Sequence, residues 1–477
     1  MNNLFDNWSR TKIIATIGPA TEGIPIMKNL ITAGMDIARL NFSHNTIEYH
    51  NRIYNNLRKA ARSLHREISI MQDLPGPKIR VGEMPESGVY MEEGKEFTFV
   101  RKRIKGNTQS ASINHPGIFR SVKEDERILI DDGKIELRVL SAGLEKIICE
   151  VVTGGILTSH KGVNFPDSKL DVPSVTREDF RLLNAGMKMG VDLVALSFVR
   201  SVNDVIRVRK YLRKQGRDAF LISKIEKHEA VVDIDEIIEA SDGIMVARGD
   251  LGVEVPLVEV PGIQKRIISK CNMAAVPVIT ATQVLESMIN SPSPTRAEAA
   301  DAANAVYDGT DALMLSGETS IGKYPLEAVR FLTAITYEVE SDMASSFILP
   351  RRAGEVGGEI DENIGMSAVG IAKNVKAALI ITPTRSGRTA RLVSRFRPPI
   401  PVIALTNNQQ VARELQLSYG VYPIIIQGEY HFNVFLKKMK QFVIKKGLAK
   451  KGSKIVICSG SPESNLGETN LLTVETL

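Results

Sequence analysis

The chemistry in this sequence is read first from a lysine and a glutamate set two residues apart. In Ser223-Lys224-Ile225-Glu226 an extended backbone sends Lys224 and Glu226 to the same side. Charges inside a fold are costly unless paired, hydrated or bound to a ligand, so the run is either a structural ion pair or part of a binding site. A second run, Arg248-Gly249-Asp250-Leu251-Gly252, carries two glycines that let the backbone turn tightly and approach a ligand. Its N–H groups suit an anion. Asp250 can join Glu226 on one hard cation with oxygen ligands, Mg2+ or Mn2+, or it can simply cap a helix. In Arg39-Leu40-Asn41-Phe42-Ser43-His44, alternation puts Arg39, Asn41 and Ser43 on one face, a guanidinium fork for phosphate beside two polar oxygens. Thr282, in Thr280-Ala281-Thr282-Gln283, offers a short hydroxyl or is only a β-branched strand residue. Ser316-Gly317-Glu318-Thr319 leads into Gly322-Lys323-Tyr324 and nearly forms a P-loop. That loop needs Ser or Thr after the lysine, and Tyr324 with Pro325 excludes it.

These runs sit at the ends of short apolar segments. Strands are expected at 12–17, 36–42, 68–74, 193–199, 219–226, 243–247, 276–281 and 312–316. Most are apolar through the middle, as parallel strands covered on both faces are. Most spacers, such as 201–215 and 326–338, are long enough for a helix. Eight such units imply an α/β fold, a (β/α)8 TIM barrel with its active site at the carboxyl ends of the strands, where five polar clusters converge. Residues 80–167 break the pattern with alternation and hairpin signals, clearest at Asp131-Asp132-Gly133-Lys134. A small β domain inserted after the third strand is expected there, placed to act as a lid. The glycine- and charge-rich stretch 345–363 reads as a linker. Beyond it, strands at 377–382, 401–405, 421–426 and 454–458, with an edge at 471–474, make an open-sheet α/β domain. The expected domains are 1–80 with 168–344, 81–167, and 345–477.

Composition fits this division. The 477 residues exceed one compact core, and 43% hydrophobic with 24% charged residues is ordinary for globular proteins. No apolar run is long enough to span a bilayer, and residues 1–10 lack the apolar core of a signal peptide, so no membrane association or export is expected. Cys149, Cys271 and Cys458 are far apart, which argues against a disulfide framework or structural zinc and for a reducing, cytoplasmic setting. The net charge of +6 favours solubility and anionic substrates. Lysines and arginines are dispersed, without the motifs of nucleic-acid binding.

Over essentially its whole length the chain resembles the pyruvate kinase family. The resemblance is carried by TKIIATIGPA at 11–20, ARLNFSH at 38–44, ISKIE at 222–226, MVARGDLG at 245–252, ATQVLESM at 281–288, PTRAE at 294–298 and LSGET at 315–319. It implies transfer of the phosphoryl group of phosphoenolpyruvate to ADP, giving pyruvate and ATP, in a homotetramer with a carboxyl-terminal regulatory domain. It implies that Glu226 and Asp250 hold the divalent metal, Lys224 stabilises the phosphoryl group and enolate, and Arg39 grips the phosphate. Thr282 falls at the proton-delivery end, working with water, and the Gly249–Asp250 backbone would hold the substrate carboxylate. Asn41, His44, Arg80 and the lid residue Lys161 match nucleotide-binding positions. Two rivals remain at this point: a magnesium-dependent barrel lyase or aldolase acting on pyruvate or phosphoenolpyruvate, and an inactive effector-binding regulator. The first needs neither lid nor Lys161; the second would have lost Lys224, Glu226 or Asp250, and all three are present.

Two features depart from the family pattern. Many members bind potassium through residues matching Asn41, Ser43, Asp73 and the carbonyl of Leu74, and carry Glu where this chain has Lys78. A lysine ammonium can stand in for a monovalent cation, so potassium is expected to be unnecessary; the plain alternative is a solvent-facing lysine. The run Thr384-Arg385-Ser386-Gly387-Arg388-Thr389 matches the family's pocket for an effector phosphate. The later loop 460–470 lacks the Trp and Arg common in bisphosphate-responsive members and contains Glu463 and Glu468. A sugar monophosphate or AMP is therefore as plausible an effector as fructose 1,6-bisphosphate.

Overall fold

The computed structural model describes residues 9–347, 359–426, 432–460 and 468–477. Most of the linker stretch, the start of the chain, and Glu463 with most of its loop lie outside them. Eight parallel strands close a barrel: Lys12–Thr16, Met35–Asn41, Ser69–Asp73, Leu193–Leu196, Phe220–Ile225, Gly243–Ala247, Val278–Ala281 and Ala312–Leu315. The expected eight strands are all present: Gly243–Ala247 has the expected bounds, Met35–Asn41 is shifted back by one residue, and the other six are one to three residues shorter where the chain leaves the ladder.

Strand alternation builds the barrel in layers. The interior is filled by Ile14, Ile37, Met71, Ala195, Ile222, Met245, Ile279 and Met314, one buried residue from each strand. Each such side chain contributes about 1.5–3 kcal/mol when fully buried, less for the alanine. Two residues further along their strands, the same inward direction is taken by Arg39, Asp73 and Lys224, and Ser197, just past the end of the fourth strand, joins them by accepting from Lys224. A charged layer therefore caps the apolar one at the carboxyl ends. The outward residues pack under the helices in a second, larger core.

Between the third and fourth barrel strands the chain forms a separate β unit with its own core around Phe97, Phe99, Ile128, Leu137 and Ile147. A six-stranded sheet runs from Val163–Asn164 at one edge to Ser110–Ser112 at the other, beside a two-stranded pair of Val89–Met91 and Gly155–Leu157. The expected hairpin is there: Ile130 pairs with Ile135, and Asp131, Asp132 and Gly133 turn the chain at φ 52°, 57° and 84°.

The carboxyl-terminal sheet has the order Val421–Ile425, Val402–Thr406, Leu379–Pro383, Lys454–Ser459, Leu471–Thr476, with only the last strand antiparallel. This unit docks on the amino-terminal face of the barrel. Leu417 closes the bottom of the barrel interior. Arg397 grips Asp311 with two bonds of 2.7 and 2.9 Å, and Arg413 reaches Asp192 at 3.3 Å. The fully buried ammonium of Lys12, in the first barrel strand, donates to the carbonyl of Val421 at 2.9 Å. Among the described residues no helix is long and apolar enough to cross a membrane.

Candidate active site

The charged layer at the carboxyl end of the barrel is one connected network. Lys224 Nζ lies 2.7 Å from Glu226 Oε1, 3.3 Å from Asp73 Oδ1, and donates to Ser197 Oγ at 2.7 Å. Arg39 donates from Nε to Asp73 Oδ2 at 2.7 Å and from a terminal nitrogen to Thr16 Oγ1 at 3.0 Å. The second oxygen of Glu226 accepts from the backbone N–H of Phe198 at 2.8 Å. Phe198 adopts φ 55°, a left-handed conformation costly for a bulky residue and typical of a constrained functional loop.

The electrostatics follow from burial. Burial and the nearby Asp250 push the Glu226 carboxyl up to about 7, against the pull of Lys224. Burial works against the Lys224 ammonium, but Asp73, Glu226 and Asp250 together hold its pKa above the usual lysine value. Asp73 is likewise buried, yet Lys224 and Arg39 keep it below the ordinary carboxylate range. A buried glutamate so reluctant to ionise is suited to a further cation. Among the described residues no group of three or more His, Cys, Asp or Glu is arranged to cage one. Glu226 and Asp250 would be the two carboxylates offered to a hard cation at this layer.

Above this layer opens a cleft of about 410 Å³ between barrel and lid, whose walls include Lys78, Arg80, Asp131, Lys161, Phe198 and Asp250. Of the expected site residues, Lys78, Asp250, Arg80 and Lys161 line this cleft, whereas Arg39, Asn41, His44, Lys224, Glu226 and Thr282 are not among its walls. Lys161 is held by Asp131 at 2.8 Å, and Arg80 donates to the carbonyl of His160 at 2.7 Å. Burial and the cations Lys78, Arg80 and Arg39 lower the pKa of His44, which keeps its ring neutral near neutral pH. Lys78 is half-buried in the same cleft, and Leu74 lies at the root of the lid, its N–H bonded to the carbonyl of Ala195 at 3.0 Å.

Three local expectations change. The run Arg248–Glu254 is a short α-helix rather than a turn, and neither Gly249 nor Gly252 takes a positive φ. A Cβ at Gly249 would meet Thr282 Oγ1 at 3.4 Å, an ordinary contact, so crowding does not require glycine there; the Thr282 hydroxyl accepts the Gly249 N–H at 2.8 Å. Ser43 lies past the end of its strand, in a turn where its N–H bonds Asn41 Oδ1 at 3.1 Å, so strand alternation does not orient it. The Ser316–Thr319 cluster is structural. Glu318 accepts from Leu285 and Ser316 N–H groups at 3.1 and 2.7 Å, and Thr319 bonds the carbonyl of Thr16 at 2.9 Å, stitching the last strand to the first.

Thr282 sits at φ 65° with Gln283 at φ 51°. Arg248 holds this bend, donating to the carbonyls of Thr282 and Gln283 at 2.8 and 2.9 Å while paired with Asp301. Sequence reasoning missed Arg248, Ser197, Phe198 and Arg200. Arg200 donates to the carbonyls of Leu170 and Val172, both at 2.7 Å, and so grips the returning root of the lid. The signal was available: Ser197-Phe198-Val199-Arg200 ends the fourth strand, on the face where the other clusters lie.

In the carboxyl-terminal unit, Thr384–Thr389 does join a strand to a helix, Arg388–Ser394, with Gly387 at φ 82°. Thr384 Oγ1 accepts the Gly387 N–H at 2.9 Å, and Ser386 Oγ accepts that of Arg388 at 3.4 Å. Arg388 pairs with Asp361, and Thr389 bonds Thr469 at 2.8 Å. Arg385 and Ser386 lie at the surface.

The family model "Pyruvate kinase, barrel domain" matches residues 8–329, and "Pyruvate kinase, alpha/beta domain" matches residues 362–475. The chain is 42% identical to a pyruvate kinase of Geobacillus stearothermophilus over 98% of its own length and 80% of that protein. It is 42% identical to one of Clostridium acetobutylicum, covering 98% and 99%, and 40% identical to one of Thermococcus litoralis, covering 98% of each. A crystal structure of a pyruvate kinase from Cryptosporidium parvum superposes with a TM-score of 0.90 at 35% identity, covering 98% of this chain and 96% of that one.

Proposed function

This chain belongs to the pyruvate kinase family and is a phosphotransferase, and from that premise we propose how its own residues carry the reaction. The phosphoryl group of phosphoenolpyruvate passes to ADP, and the enolate left behind is protonated on carbon to pyruvate. Phosphoryl transfer depends on positioning and charge neutralisation more than on covalent catalysis. The observation that carries the reading is the connected layer of Lys224, Glu226, Asp73 and Arg39 beneath a cleft walled by Arg80 and Lys161. Glu226 and Asp250 would hold a divalent cation, Mg2+ or Mn2+, which neutralises charge on substrate oxygens when bound. Lys224 then faces the phosphoryl group and enolate oxygen, Arg39 the phosphate, and Asn41, His44, Arg80 and Lys161 the nucleotide. Thr282, held next to Gly249, orders the water that protonates the enolate. The Gly249 N–H bonds Thr282 in the free protein, so a substrate carboxylate must share or displace that contact.

A coupled assay tests this reading: pyruvate should form from phosphoenolpyruvate only when ADP is supplied. Pyruvate formation without ADP would favour the lyase reading instead. Asp250→Ala should raise the half-saturating Mg2+ concentration at least tenfold, about 1.4 kcal/mol, as followed by steady-state titration.

The finer reading has three parts. Lys78 stands in for potassium, so potassium is not required. The protein works as a homotetramer in a reducing, cytoplasmic compartment. The pocket at Thr384, Arg385, Ser386, Gly387, Arg388 and Thr389 takes the phosphate of an activating metabolite. Because Arg388 already pairs with Asp361, effector binding has to compete for that guanidinium. Arg388→Gln should therefore raise the concentration of sugar phosphate or AMP needed for half-activation about tenfold, some 1.4 kcal/mol. Equal responses of the two proteins across a panel of phosphorylated metabolites would reject the pocket.

A further inference from the structure

The lid meets the barrel at a buried carboxylate outside the residues assigned so far. Glu254 ends the short helix Arg248–Glu254 that carries Asp250, and it is 6% exposed. Its Oε1 is 2.5 Å from Lys227 Nζ, and Lys227 directly follows Glu226. The same oxygen accepts from Asn164 Nδ2 at 2.8 Å. Asn164 belongs to the edge strand of the lid sheet, Val163–Asn164. One oxygen thus joins three pieces of chain: the lid, the segment after Glu226, and the helix of Asp250.

The placement gives this contact mechanical meaning. Arg200 holds the returning root of the lid at Leu170 and Val172. Asn164 lies on the lid side of that grip, on the part that must travel if the lid swings. Opening about the root pulls Asn164 from Glu254 and leaves the Lys227 pair behind. Hydrogen bonds to a buried charge are stronger than neutral ones, and a buried acceptor that loses a donor is penalised.

We infer that Glu254 is a positioning residue: by accepting from Asn164 and Lys227 on one oxygen, it latches the closed lid to the two backbone segments that carry Glu226 and Asp250. The inference rests on the proposed function only for its kinetic consequence; the latch itself is a statement about lid position. Closing the lid and seating the two carboxylates become one event, so the cleft is complete only when the nucleotide-side residues are in place.

The test uses Asn164→Ala, which removes the lid limb and spares the Glu254–Lys227 pair, and Asn164→Asp, which sets two carboxylates against each other. The exchange variant, Asn164→Asp with Glu254→Gln, restores a donor and an acceptor in swapped positions. Lid position is read from the distance between spin labels at Leu144→Cys, 61% exposed on the lid, and Lys188→Cys, exposed on the barrel. The three native cysteines are buried and should not label. The closed-to-open ratio should fall about ten- to hundredfold in Asn164→Ala, further in Asn164→Asp, and recover in the exchange variant. Under the kinase reading, kcat/KM for ADP should fall with that ratio and recover with it. Unchanged label distances in both single variants, or no recovery on exchange, would overturn the latch. A wild-type protein that forms no pyruvate from phosphoenolpyruvate and ADP would overturn the proposed function, while shifted label distances would still support the latch.

Discussion

Replacing Lys224 by methionine is expected to lower kcat by at least about a hundredfold, the loss typical of removing one preorganised charge contact from a transition state. The structure adds a second consequence. Lys224 is the common partner of Asp73 and Glu226, which are 2% and 1% exposed. Methionine fills much of the lysine's volume but leaves these carboxylates without their shared cation. Breaking a buried pair by removing one member costs roughly 3–5 kcal/mol. Glu226 can escape part of that cost by protonating, because its carboxyl already titrates at about 7. The variant should therefore melt at a lower temperature than the wild type, with the deficit growing above pH 7, where the wild-type Glu226 ionises against Lys224 and the variant's, its pKa raised by the loss of that cation, does not. Added Mg2+ should recover part of it by restoring positive charge between Glu226 and Asp250. Rapid-mix kinetics and thermal melts with and without Mg2+ check both halves. Near-normal turnover would remove Lys224 from the catalytic assignment.

On the proposed stand-in role of Lys78, Lys78→Glu is expected to make activity depend on potassium. Lys78 shares its surroundings with Arg80 and Lys224 on the cationic side and Asp73 and Asp250 on the anionic side. A unit charge reversed in such a half-buried site changes the field on a neighbouring phosphate by a few kcal/mol at the effective dielectric of a protein surface, about 4 kcal/mol per charge pair at 4 Å. Activity of the variant in potassium-free buffer should fall by at least about a hundredfold, roughly 2.7 kcal/mol, and recover on adding potassium. The wild type should respond less than twofold. Strong potassium stimulation of the wild type would end the stand-in reading.

The same residue sets a pH dependence with a definite sign. Burial first, then the charges of Arg80 and Lys224, lower the Lys78 pKa from 10.5 to about 8. Below pH 8 the ammonium is present, so kcat/KM in potassium-free buffer should decline as pH rises through about 8. Stability moves the other way. Between about 8 and 10.5 the unfolded chain holds this proton and the folded chain does not, so this group makes folding more favourable as pH rises across that window. Opposite slopes of activity and stability above pH 8, both lost in Lys78→Met, would identify the group.

Local pattern determined a large part of this protein. Each barrel strand was legible because its side chains are buried on both faces and leave an apolar run between turn signals. The alternation of Ile222, Lys224 and Glu226 was enough to put both charges on one side, and the structure finds them 2.7 Å apart. The inserted hairpin was marked by residues that tolerate positive φ, Asp131, Asp132 and Gly133. What sequence spacing cannot carry is partnership across the chain. Asp73 meets Lys224 across 151 positions of sequence, and Asn164 meets Glu254 across 90. Ser197 and Arg200 stand at a legible position, just after the fourth strand, but their partners Lys224, Leu170 and Val172 are fixed only when barrel closure sets that strand between the third and fifth. The Arg248–Glu254 segment reads as a glycine turn, yet it folds as a helix, with the Gly249 N–H bonded to the hydroxyl of Thr282. Lys224 and Glu226 were placed together by strand geometry, which acts over two residues. Their coupling to Asp73, Asp250 and the lid was decided only when folding brought distant segments within the few ångströms over which hydrogen bonds and buried charges act.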